Sequence, residues 1–115
     1  MRKVLIVDEF EPYADALANL LRRCGYDERR ERTDESALST AADFDPDVVF
    51  VDLRLPDMDG YRLAGQLRRQ GSDTRPKIVA LSHIPRGEGG GDDAVFDEYL
   101  LKRPNVETLR RVVEG

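Results

Sequence analysis

Three carboxylates, a hydroxyl and an ammonium each come directly after a short apolar run. Asp8 and Glu9 follow Val4-Leu5-Ile6-Val7, and Asp52 follows Val48-Val49-Phe50-Val51. Ser82 follows Ile78-Val79-Ala80-Leu81, and Lys102 follows Tyr99-Leu100-Leu101. Clustered carboxylates repel one another, so near neutral pH they stay together only with a cation or a bound proton. Oxygen-only ligands with open positions favour Mg2+, which keeps several waters and engages phosphate oxygens. A carboxylate can also attack phosphorus and form an acyl phosphate. That reaction asks the protein mainly for positioning and charge neutralisation, which the metal and Lys102 would supply, with the Ser82 hydroxyl bonding a phosphoryl oxygen. Taken alone, Asp8-Glu9 reads better as an ordinary solvated strand end; the whole set in this order is far more specific.

The elements that would position these groups are legible in the same runs. The three long runs are continuous and rich in β-branched residues, as strands buried on both faces of a parallel sheet require, and Tyr99-Leu100-Leu101 is a shorter fourth. Parallel sheets bind ligands outside the carboxyl ends of their strands, which is where the polar residues fall. Between the runs lie helical patterns. Pro12 opens one that places Leu17, Leu20, Leu21 and Cys24 on one face before Gly25. Ser36 to Phe44 is a second, with Ala37, Ala41 and Ala42. Gly60 to Gln70 is a third, with Leu63, Ala64 and Leu67 inward and Gly71 as its C-cap. The last begins at an Asn105 cap and packs Val106, Leu109, Val112 and Val113. Asp27 to Arg32 falls where the alternation wants a strand, yet it is almost wholly charged, and only a sheet edge tolerates that. Pro85 to Asp93, PRGEGGGDD, disfavours a regular helix; the expectation is a loop over Pro85 to Gly91 and at most two helical turns around Asp92 to Phe96. The pattern predicts one doubly wound α/β domain over residues 1–115, with a shortened or irregular fourth helix.

Composition excludes several classes of function. A chain of 115 residues with 40% hydrophobic content builds one core without disulfides, and its single cysteine, Cys24, fits a reducing cytoplasmic setting. A net charge of −5 argues against direct nucleic-acid binding. No apolar run is long enough for a membrane span. His83 is the only histidine, so no histidine cluster or triad is available. Cys24 reads as inert core, and Asp57 and Asp59 as turn and cap residues.

The stretches VLIVDEFEP, PDVVFVDLRLPDMDGYRLAGQLR, KIVALS and EYLLKRP, with the spacing between them, resemble the receiver domains of two-component response regulators over essentially the whole chain. The resemblance implies a five-stranded sheet of order 2-1-3-4-5. It implies that Asp52 is the phosphoacceptor and that Asp8, Glu9, Asp52 and the backbone carbonyl of Arg54 hold Mg2+. Ser82 then corresponds to the switch hydroxyl, Tyr99 to the switch aromatic and Lys102 to the conserved lysine of the family, although a tyrosine ending a strand is often simply packed. The implied partners are a sensor histidine kinase or phosphotransfer protein, and an output partner or second copy through the face of the last helix, the fifth in the family's count. Such a domain is not an enzyme acting on other substrates, but promotes its own phosphorylation and dephosphorylation.

Five positions depart from the family pattern. Glu9 replaces aspartate, Val95 a glycine and His83 a small residue, while Arg54 places a long cation beside Asp52. Arg103 replaces the proline after the lysine, from which the expectation is that the family's cis peptide bond is absent. None removes an essential group. Two other classes compete: a degenerate receiver that binds partners without being phosphorylated, and a hydrolase using Asp52 for turnover. The hydrolase is disfavoured by the lack of a cap domain and of a second general acid near Asp52.

Overall fold

Strands and helices alternate along the chain, and the computed structural model describes residues 2–53, 60–70, 76–83 and 95–115. The elements are β1 (Lys3–Val7), α1 (Glu11–Arg23), β2 (Asp27–Glu31), α2 (Asp34–Phe44), β3 (Val48–Asp52), α3 (Gly60–Gln70), β4 (Lys77–Ser82), β5 (Glu98–Leu101) and α4 (Val106–Glu114). The five strands form one sheet of order β2-β1-β3-β4-β5. All of its pairings are parallel.

Side chains alternate between the two faces of a strand, so each apolar run feeds two cores. Val4, Ile6, Val48, Phe50, Val79 and Leu81 pack with Leu17 and Leu21 of α1 and Leu109, Val112 and Val113 of α4. Leu5, Val7, Val49, Val51, Ile78 and Ala80 pack with Ala37 of α2 and Leu63, Ala64 and Leu67 of α3. Helices on both faces explain why the central strands lack polar alternation. The charged DERRE segment is a strand, and it lies at the sheet edge.

Local signals fix most helix ends. Thr33 accepts from Ser36 N at 3.2 Å and starts α2 two residues before the sequence pattern suggests. Asn105 accepts from Thr108 N at 2.8 Å and caps α4. Such caps are worth about 1 kcal/mol each. Gly25, at φ 88°, ends α1 in a conformation that side chains resist. Two residues sit further outward than expected: Val106, at the start of α4, is exposed, and Cys24 is only partly buried. Val106 is the first residue of α4, one turn before Leu109, where the packing of α4 against the sheet begins.

The proposed Gly71 cap, the loop over Pro85 to Gly91 and most of the short helical stretch from Asp92 lie outside the described residues. Its last residues, Val95 and Phe96, pack against the second core, and Phe96 meets Tyr61 edge-on at 5.4 Å between ring centroids.

Candidate functional site

A parallel sheet ends all of its strands on the same side, and the register decides which residues meet there. Val7 pairs with Val51, so the next residues, Asp8 and Asp52, emerge side by side from β1 and β3. Ser82 pairs with Leu101, and the amide of the next residue, Lys102, donates to Ser82 O at 2.7 Å. The start of α3 closes tightly over this edge. A Cβ on Gly60 would lie 2.7 Å from the Asp52 carbonyl oxygen and 2.8 Å from Leu53 Cα, so only glycine lets the helix begin there.

The charges are brought together within the sheet edge. Lys102 Nζ lies 3.1 Å from Asp8 Oδ2 and 3.4 Å from Asp52 Oδ1. Asp8 is 1% exposed and Asp52 7%. Asp8 Oδ1 accepts from Phe10 N at 3.0 Å, which fixes the carboxylate at the start of α1. One ammonium thus faces two carboxylates. Ser82 is buried beside them at the end of β4.

Not every residue singled out from sequence joins this group. Glu9 is exposed, and among the described residues no three His, Cys, Asp or Glu side chains gather around one point. Lys102 instead stands against the two aspartates. Arg54 lies outside the described residues. Tyr99 is half-buried against the second core, and His83 is exposed. The peptide bond between Lys102 and Arg103 is cis. Losing the proline therefore does not bring the trans bond expected from sequence.

A cavity of about 220 Å³ opens beside Asp52 and Lys102, with Phe10, Tyr13, His83 and Arg103 as its other walls. Phe10, Tyr13 and Arg103 escape a reading based on strand ends, since they belong to α1 and its approach or to the loop after β5. The one available signal is an aromatic in the first turn of the helix that follows Asp8-Glu9. Burial, and then the nearby Asp8 carboxylate, push the Tyr13 phenol far above the ordinary tyrosine range, so it stays protonated.

The response regulator receiver domain family matches residues 4–114. The transcriptional regulatory protein KdpE of Mycobacterium tuberculosis is 35% identical over 113 residues, covering 89% of this chain and 49% of KdpE. A CheY-like response regulator receiver domain from Methylobacillus flagellatus superposes with a TM-score of 0.90 at 29% identity, covering 99% of this chain and 97% of that one. The response regulator TrrA of Thermotoga maritima, in complex with Mg2+ and BeF, gives a TM-score of 0.87 at 26% identity, covering 99% and 97%. The chain spans between 19% and 49% of the length of the curated relatives it matches.

Proposed function

The chain belongs to the response regulator receiver domain family of two-component systems, and on that premise we propose that it accepts a phosphoryl group on Asp52 from a phosphohistidine donor. The observation that carries this reading is the convergence of Lys102 on Asp8 and Asp52 at the carboxyl edge of the sheet, 3.1 and 3.4 Å away. An Asp52 carboxylate oxygen forms the new O–P bond as the P–N bond of the donor breaks. The departing imidazole nitrogen keeps the electron pair and takes up a proton. Lys102 neutralises charge on the phosphoryl oxygens, and the Ser82 hydroxyl donates to one of them. Attack of water on the acyl phosphate later returns Asp52 to its free form.

The donor set suits Mg2+. Two neighbouring buried carboxylates, with Asp52 on the wall of a cavity, match an ion that takes one or two carboxylates together with phosphate oxygens and waters. Asp8 and Asp52 would hold it, with Glu9 and the Arg54 carbonyl completing the set. When bound it would neutralise charge on the phosphoryl group. The Thermotoga regulator is known in complex with Mg2+ and BeF, which supports Mg2+ as the ion.

The donor is a sensor histidine kinase or phosphotransfer protein in the cytoplasm. The signal leaves through Ser82 and Tyr99 to the α4 face, where an output partner or second copy docks. A second reading is a receiver that binds partners without phosphorylation; the exposure of Glu9 favours it. Incubation with Mg2+ and phosphoramidate, followed by intact mass, separates the two. The expected result is one added phosphoryl group that Asp52→Asn abolishes. No gain in the wild type supports the second reading, and an unchanged gain in the variant moves the acceptor elsewhere.

A further inference from the structure

Lys102 has a third neighbour with no part in the chemistry above. The ring of Tyr13 on α1 lies beneath its ammonium, with Nζ 4.6 Å from the ring centroid. The Lys102 side chain is 6% exposed and Tyr13 is 7% exposed, so the contact is desolvated, the setting in which a cation over an aromatic face is held most strongly. The Tyr13 hydroxyl is buried with no hydrogen-bond partner among the described residues. Burying an unpaired hydroxyl is unfavourable, so what the side chain contributes at Lys102 is its ring face and not its hydroxyl. The same ring walls the cavity that holds Asp52 and Lys102.

We propose that Tyr13 is a positioning residue for phosphoryl transfer, its ring face holding the Lys102 ammonium against Asp8 and Asp52 before the phosphoryl group arrives. This rests on the phosphoryl-accepting reading. The physical advantage lies in the neutrality of the ring. Both carboxylates compete with the incoming phosphoryl oxygens for the ammonium, and Asp52 loses its charge once esterified. The ring keeps the same attraction throughout, so Lys102 needs little reorganisation when it turns from carboxylate to phosphoryl oxygen.

The test compares Tyr13→Phe with Tyr13→Leu in the full chain, with Mg2+ and acetyl phosphate as donor and phosphoryl uptake followed by intact mass. Tyr13→Leu should slow uptake about fivefold, while Tyr13→Phe, which keeps the ring face, stays within about twofold of the wild type. A Leu variant as fast as the wild type, or a Phe variant as slow as Leu, overturns the proposal. The ε-methylene protons of Lys102 give a second readout that needs no phosphorylation and survives if the Leu variant fails to fold. In the wild type and Tyr13→Phe, the ring current should move them upfield of a free lysine. Finding them at the free-lysine position defeats the proposal. Wild-type protein that shows the ring-current shift but takes up no phosphoryl group defeats the functional reading instead.

Discussion

Charged residues gather in two regions, and the same side-chain types behave differently in each. Around β2, Arg22 pairs with Glu28, Arg29 with Asp27, Arg30 with Asp15 and Arg32 with Glu11. At the carboxyl edge of the sheet, Lys102 pairs with Asp8 and Asp52. In the β2 lattice every one of these cations meets an anion, Glu28 also lying 3.9 Å from Arg30, and much of it lies in water. In the Arg32–Glu11 pair the side chains are 64% and 63% exposed. The carboxyl-edge group is buried, and in the ion pairs between described residues Lys102 alone meets both carboxylates, with Lys102 and Asp8 side chains 6% and 0% exposed. Exposed pairs are individually worth about 0–1 kcal/mol because water screens them and their side chains lose entropy. A buried charge is costly unless matched. The β2 lattice therefore rests on weak, mostly exposed pairs, whereas the carboxyl-edge group holds its charges out of water, where losing a partner is costly.

The largest effect should come from removing that shared partner. Lys102→Met removes the ammonium and leaves Asp8 and Asp52 side by side in a buried place. Breaking a buried ion pair from one side typically costs about 3–5 kcal/mol, so urea denaturation should show a loss of about 3 kcal/mol. Millimolar Mg2+ should restore part of it by binding the folded state. A loss below about 1 kcal/mol, the size of an exposed pair, would erase the contrast between the two regions.

How much of this contrast was legible in sequence depends on what each signal encodes. Asp8, Asp52, Ser82 and Lys102 could be placed together because a parallel sheet ends its strands on one side, which needs no knowledge of side-chain conformation. The edge position of β2 was legible from DERRE for a similar reason, since a central strand has no water for such residues. Sequence could not say that Lys102 would face both aspartates while Glu9 pointed to solvent, because rotamers and loop paths decide that. Tyr13 was hidden for the same reason: its role depends on how α1 leans on the sheet. The cis bond at Lys102–Arg103 went against the ordinary rule for residues other than proline.

Between the extremes lies Tyr26, just before β2, whose hydroxyl donates to Glu114 Oε2 at 2.8 Å and ties this end of the sheet to α4. Burial, and then the hydrogen bond to Glu114, push its phenol up to about 12 from an ordinary 10.0. Tyr26→Phe should cost about 1 kcal/mol near neutral pH. The sign of the pH dependence follows from linkage. The folded state keeps the proton that the unfolded state sheds near pH 10, so this stabilisation is complete below pH 10 and disappears as pH rises towards 12. Urea titrations of both proteins from pH 8 to about 11.5 should show the difference shrinking only above about pH 10. A difference that stays constant or grows would mean that the hydroxyl is not held in its protonated form by the fold.

The smallest effect belongs to the exposed lattice, and its smallness is what gives the comparison meaning. Arg32 follows β2 directly and meets Glu11 at 3.1 Å, linking the strand end to the first turn of α1. Glu11 already gains from the positive end of the helix dipole at that position, so losing its partner does not leave it without compensation. Water solvates both groups as soon as they part. Arg32→Ala should therefore lower stability by about 0.5 kcal/mol or less at low salt, with the difference fading towards zero near 1 M salt as screening shortens to about 3 Å. The loss on Lys102→Met should change far less over the same range, because salt screens buried charges much less than exposed ones. Parallel urea titrations of the two variants against salt read both quantities at once. If Arg32→Ala cost as much as Lys102→Met, or if the two losses faded together with salt, burial would not be what separates the regions.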